Sequence, residues 1–266
     1  MFQGFLYDLG AALSMVPLAL VNRRVEARRD GPFWIAMAVA VAGPATHAVG
    51  QLSGPWHTGF AMALWVAIAV SMAIFAGLAA TARNAWRMAP LLAPYMIALG
   101  LLAAVWRTAV GPRLAAPVPL GWLEVHIGVS VVTYGLLTLA AVAALAAFLQ
   151  ERALKRKRRT PLTVMLPPVA DSEALSGRLL LASEVVLGAG LATGMAVQYM
   201  ENQRLLVVDH KTLLSILAFV LILALLASRR LWGVRGRAAA RGILVAYLLL
   251  TLAYPGVKFV TDVILA

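Results

Sequence analysis

The stretch whose reading decides the fold is HIGVSVVTYGLLTLAAVAALAAFLQERALKRKRR, residues 126–159. From Ile127 to Leu149 it holds no Lys, Arg, Asp or Glu. Then Arg152, Lys155, Arg156, Lys157, Arg158 and Arg159 arrive within a few residues. About 20 mostly apolar residues are what an α-helix needs to cross the hydrocarbon layer of a bilayer. Lysines and arginines bunched directly after such a run mark its cytoplasmic end. One segment therefore supplies both an element and its direction.

The same template finds eight runs, at 3–22, 33–52, 58–80, 88–106, 120–149, 175–199, 211–228 and 241–264. Apolar residues make up 62% of the 266-residue chain and charged residues 13%, with mean hydropathy +0.86. A soluble domain is about half apolar and about a quarter charged. Long continuous Ala- and Leu-rich runs are helices, not the alternating ten-residue strands of a barrel. The expected fold is an all-α, polytopic membrane helix bundle, a single integral domain over 1–266, with a basic cytoplasmic loop at 150–174.

Charge sets the expected orientation. Of the 23 basic residues, 18 fall around NRRVEARRD, TARNAWR, QERALKRKRRT with Arg178, and SRRLWGVRGRAAAR. The other five, Arg107, Arg113, Arg204, Lys211 and Lys258, fall at the opposite helix ends. The alternation holds through all eight runs, so both termini are expected on the outer side. The N-terminal segment has no basic start and no small-residue cleavage site, and reads as a retained first helix.

The net charge of +12 is thus absorbed by topology and by anionic headgroups beside 150–159. No aromatic-studded basic surface points to nucleic acid. The absence of cysteine excludes disulfides, thiolate metal sites and thioether chemistry on this chain. Phosphate-binding loops, zincin helices and nucleophile elbows are also missing. The chain is not expected to be an enzyme.

What chemistry remains lies with four histidines, His47, His57, His126 and His210, all on the outward half. His47 and His126 each sit about five residues inside a helix end, roughly 7–8 Å deep. Two imidazoles at matched depth on different helices suit the axial positions of one haem iron. Two structural roles compete with that reading. His47 can satisfy backbone carbonyls freed by Pro44, and His126 can hydrogen-bond a neighbouring helix. At 100° per residue, Ser130, Thr133 and Tyr134 share a face with His126, where hydroxyls orient an imidazole or meet a neighbouring helix. Glu184 falls in mid-helix, as a proton relay or as an interhelical hydrogen-bonding group. Gly190 and Gly194 form a G-x-x-x-G, which lets helices approach closely.

HIGVSVVTYGLLTLAAVAALAAFLQERALK, with VDHKTLLSILAFVLILALLASRRLWGVRGRAAARGILVAYLLLTLAYPGVKFVTDVIL, resembles the cytochrome c assembly membrane proteins of the CcmC/CcsA type. The likeness is nearest to their YpjD-like and HemX-like branch, closest over the last four runs. It implies a multi-pass protein of the bacterial inner membrane that handles haem in cytochrome c biogenesis. Its implied partners are haem and proteins of cytochrome c biogenesis or haem synthesis. It implies His126 as an axial ligand at an outer haem site, and His47 stands where that branch places a histidine. Asp209 and Lys211 match the Asp and Lys of the Trp-Asp-Pro-Lys segment of transfer-competent members. No Trp lies between residues 123 and 231, so the tryptophan platform for haem is missing. The resemblance then implies a haem-binding relative without the transfer motif. A haem-free scaffold or regulator of tetrapyrrole supply, and a small-solute transporter using Glu184, are the alternatives.

Overall fold

Uninterrupted Ala and Leu favour helix, and lipid demands it, because every backbone N–H and C=O must be satisfied inside the segment. In the computed structural model, which describes residues 2–21, 28–52, 59–107, 120–203 and 209–264, each apolar run is helical and no strand occurs among the described residues. Among the described residues, eight helical segments are long and apolar enough to cross a membrane, as expected.

The chain runs α1 (Phe2–Leu13), α2 (Val16–Val21), α3 (Gly31–Leu52), α4 (Phe60–Thr81), a 3₁₀ turn at Ala85–Met88, and α5 (Ala89–Val105). It continues through α6 (Leu120–Lys155), α7 (Pro161–Met165), α8 (Val169–Asn202), α9 (His210–Leu231) and α10 (Gly236–Thr251). The last helix passes into a π turn at Leu252–Gly256, a short α11 (Val257–Phe259) and a second π turn at Val260–Ile264. The first span is therefore two helices, α1 and α2, broken at Ser14–Met15. Pro17 has no N–H to give residue 13, so the helical ladder cannot run through this point.

α6 is the axis of the bundle, with 78% of its most apolar window buried, against 17% for α9. Lipid tails are as apolar as leucine, so helices associate here through close packing rather than water exclusion. The alanines of α6 supply that closeness. Ala140, Ala141, Ala143, Ala144, Ala146 and Ala147 are all buried. α1 to α5 gather on one side of α6 around Trp65, Phe33, Phe75 and Met72, and α8 and α10 close the other.

The segment read as a basic loop at 150–174 is mostly helical. α6 is 36 residues long and α8 34, each about 50 Å against a hydrocarbon layer of ~30 Å. Beyond the lipid, local chemistry decides, and Gln150–Lys155 is built of helix formers with a Glu151–Lys155 pair at 2.5 Å. Thr160 and Thr163 form a reciprocal cap on α7. The Gln150 amide donates to the carbonyls of Thr163, Leu166 and Pro167, and Arg87 donates to those of Val164 and Met165. Arg29 likewise caps the end of α4 at the carbonyls of Ala79 and Ala80. The basic end of the bundle is knitted together by its own carbonyl groups.

Candidate functional site

At the end of the bundle opposite the basic segments, α6, α8, α9 and the π turn after α10 enclose a cavity of about 150 Å³. Its wall includes His126, Ser130, Thr133 and Tyr134 from α6, Lys211 and Ser215 from α9, and Tyr254 from the π turn. Four of the six expected cofactor residues, His126, Ser130, Tyr134 and Lys211, thus meet here, as the 100° spacing requires of those on α6. The π turn helps to shape the wall. Pro255 cannot donate, Val257 reaches back five residues to the Leu252 carbonyl, and Ala253 and Tyr254 line the cavity.

The hydroxyls of the α6 stripe do not hold the imidazole. Ser130 donates to the carbonyl of His126, Thr133 to that of Val129 and Thr138 to that of Tyr134, each one turn back. The imidazole is met from α8 instead, with Nδ1 3.1 Å from the Thr193 hydroxyl. The Gly190 carbonyl, on the same face of α8, also meets the ring. Gly194 makes the approach possible, since a Cβ there would lie 3.0 Å from His126 Cε1. Tyr134 is buried, and its hydroxyl meets that of Tyr247 at 3.0 Å. Tyr247 in turn pairs with Tyr95, so three phenols from α6, α10 and α5 form a ladder leading away from the cavity.

His47 belongs to a different place. It lines a larger cavity, about 790 Å³, between α1 and α3 with Arg107 at one end. The two cavities share no lining residue. The structure therefore does not bring His47 and His126 to one space. Nor does His47 serve the carbonyls freed by Pro44. Its Nε2 lies 2.8 Å from Asp8 Oδ1 and 2.6 Å from the Gln51 amide. Asp8, 2% exposed, also accepts from Trp65 Nε1 at 3.1 Å and faces Arg107 Nε at 3.4 Å. Four helical neighbourhoods converge on this one carboxylate.

Asp209 caps α9, accepting the Thr212 N–H at 2.7 Å. Burial pushes its carboxyl up, but the Thr212 hydrogen bonds and the Lys211 and His210 charges outweigh that and hold it below the usual range. It presents Lys211 to the cavity rather than lining it. His210 is exposed at the first turn of α9, and His57 lies outside the described residues. Glu184 is 6% exposed and neither carboxyl oxygen has a hydrogen-bond partner.

Sequence reasoning missed Thr193, Ser215, Tyr95, Tyr247 and Tyr254, and missed Asp8 as the partner of His47. Thr193 carried a signal, since it precedes Gly194 of the G-x-x-x-G that faces α6. The tyrosines carried none.

Residues 56–265 match the family model described as Cytochrome C assembly protein. The chain belongs to the cytochrome c assembly protein family. The matched region contains all of the His126 cavity but not Asp8 or His47, which precede it. The chain is also similar to an "Uncharacterized 28.8 kDa protein in nifR3-like 5'region" of Azospirillum brasilense, 53% identical over 270 residues and covering 100% of both chains. Family membership and eight apolar helices make it a multi-pass membrane protein of cytochrome c biogenesis.

Proposed function

We propose that the protein handles haem during cytochrome c biogenesis in the bacterial inner membrane, with the basic segments in the cytoplasm and the His126 cavity on the outer side. The observation that carries this reading is the convergence of an imidazole braced from α8 at Nδ1 by Thr193 and a cation, Lys211, in one wall. That donor set fits haem, because imidazole suits iron and a lysine ammonium suits a propionate. An imidazole whose other nitrogen is hydrogen-bonded is oriented for ligation.

The space defines how haem would sit. Ordinary cofactor pockets measure roughly 300–1,000 Å³. A cavity of about 150 Å³ takes an edge of a macrocycle and not the whole of it. His126, Lys211, Ser130 and Tyr134 would hold that edge, with Asp209 fixing the turn that carries Lys211. The group would bring its own iron chemistry, and the residues here would bind, orient and release it. So small a seat suits a haem held by one edge, without the tryptophan platform of transfer-competent members. The role is therefore one of binding rather than catalysis.

The test is genetic. A strain lacking the protein, complemented with wild type, is expected to recover its covalently haem-stained c-type cytochromes. Complementation with His126→Ala is expected to leave that staining depressed at equal membrane abundance. Full recovery by His126→Ala would sink the proposal.

A further inference from the structure

The 790 Å³ cavity between α1 and α3 is not used by the reading above, and it is built as a groove with one polar end. Gly4 opens α1, Gln51 ends α3 and Arg107 follows α5, so these three share one level. Gly10 lies about 9 Å deeper along α1, and Gly43 about 12 Å deeper than Gln51 along α3. The groove therefore runs from headgroup level into the hydrocarbon layer. It is open on the lipid side, where Leu6 is 52% and Tyr7 72% exposed.

The polar end is rich in donors. Asp8 sits at its floor with its oxygens already facing His47, Trp65 and Arg107. Around it stand the Arg107 guanidinium, the Gln51 amide and the Tyr7 phenol. Arg107 is laid flat by Gly4, where a Cβ would come within 1.8 Å of its Nη2. A planar guanidinium beside a phenol donor matches phosphate oxygens, while the Gln51 amide meets His47.

The walls are bare at two glycines. Gly10, deep in the groove, and Gly50, beside Gln51 near its mouth, both line it, yet a Cβ at either would meet nothing within 4 Å. Glycine inside a helix costs about 1 kcal/mol against alanine. No residue of this chain packs where those Cβ atoms would stand, which leaves room there for an occupant.

We propose that this groove holds one resident phospholipid, its phosphate at the Arg107 end and an acyl chain along Gly10, Ala11 and Gly43. A haem is a poorer fit, because His47 Nε2 is taken by Asp8. A helix from a second copy would set apolar side chains against the charged end.

Native mass spectrometry of the full chain in mild detergent tests this. The wild type is expected to keep one phospholipid per chain. Gly10→Leu and Gly50→Leu, placed where nothing packs, are expected to melt as the wild type does and to lose the lipid at least tenfold. Arg107→Gln is expected to retain less lipid than wild type. Phosphorus analysis of the delipidated wild type reads the same occupancy with no substitution. A wild type free of lipid overturns the proposal, as does lipid retained in both leucine variants. So does a wild-type adduct of haem or a second chain that the leucines remove.

Discussion

Replacing Asp8 by alanine probes the most heavily invested carboxylate in the bundle. Its Oδ1 accepts from Trp65 and meets His47, and its Oδ2 faces Arg107. Trp65 is fully buried, so its indole N–H would be left with no acceptor, at about 1–3 kcal/mol. The Arg107 side chain is 28% exposed and the contact is long at 3.4 Å, so its loss adds at most about 1 kcal/mol. Asp8→Ala should therefore cost about 1–4 kcal/mol of the free energy that holds α1 against α3, α4 and α5. Asp8→Asn keeps a carbonyl for one of the donors and should fall between, near half that loss. Equilibrium unfolding in mixed micelles, titrated with increasing mole fraction of sodium dodecyl sulfate, measures both. A loss below about 0.5 kcal/mol for Asp8→Ala would refute the argument that this carboxylate ties four helices together. An Asn variant as damaged as the Ala one would show that charge, not hydrogen bonding, carries the tie.

The remaining predictions concern single contacts. Tyr247→Phe breaks two phenol contacts where Tyr95→Phe breaks one, so in the same unfolding assay the first should cost roughly twice the second. Membrane side-chain hydrogen bonds average about 0.6 kcal/mol, which sets the scale at about 0.6 and 1.2. Asp209→Ala removes the α9 cap and should cost about 1 kcal/mol. Because the Asp209 carboxyl is held below its ordinary value, its contribution is complete above the unfolded pKa, near 4, and fades as pH falls through the lower folded value. Amide exchange at the first turn of α9 should accelerate over that acidic window in wild type and not in the alanine variant. Glu184→Gln should leave stability within about 1 kcal/mol, since neither carboxyl oxygen has a partner to lose. A larger loss there would mean the carboxylate is engaged.

The helices were legible because hydropathy alone specifies them: nothing else in the chain explains 23 residues from Ile127 to Leu149 without a charge. The break at Ser14 was written in Pro17, but the apolar run around it masked the signal. The helical ends at 150–155 and 169–174 were hidden for a physical reason. Outside lipid, hydropathy stops reporting, and caps such as Thr160 and anchors such as Gln150 take over. Within the site, helical spacing gave the shared face of His126, Ser130, Thr133 and Tyr134. It could not give Thr193, because the partner of an imidazole on another helix depends on how α6 and α8 are rotated. Depth misled for His47. Equal distance from a helix end says nothing about which side of the bundle a residue faces, and the Asp8–His47 contact joins the first two spans, in a cavity that shares no residue with that of His126.

The central claim is that His126 offers a nitrogen to haem iron. The most direct measurement is the visible spectrum of the purified protein in mild detergent, as isolated and after titration with haemin. Wild type should develop a Soret band shifted from that of free haemin, saturating as haemin is added. His126→Ala should lose the shift, and His47→Ala should keep it. A wild-type spectrum identical to free haemin, or one unchanged by His126→Ala, would contradict the account.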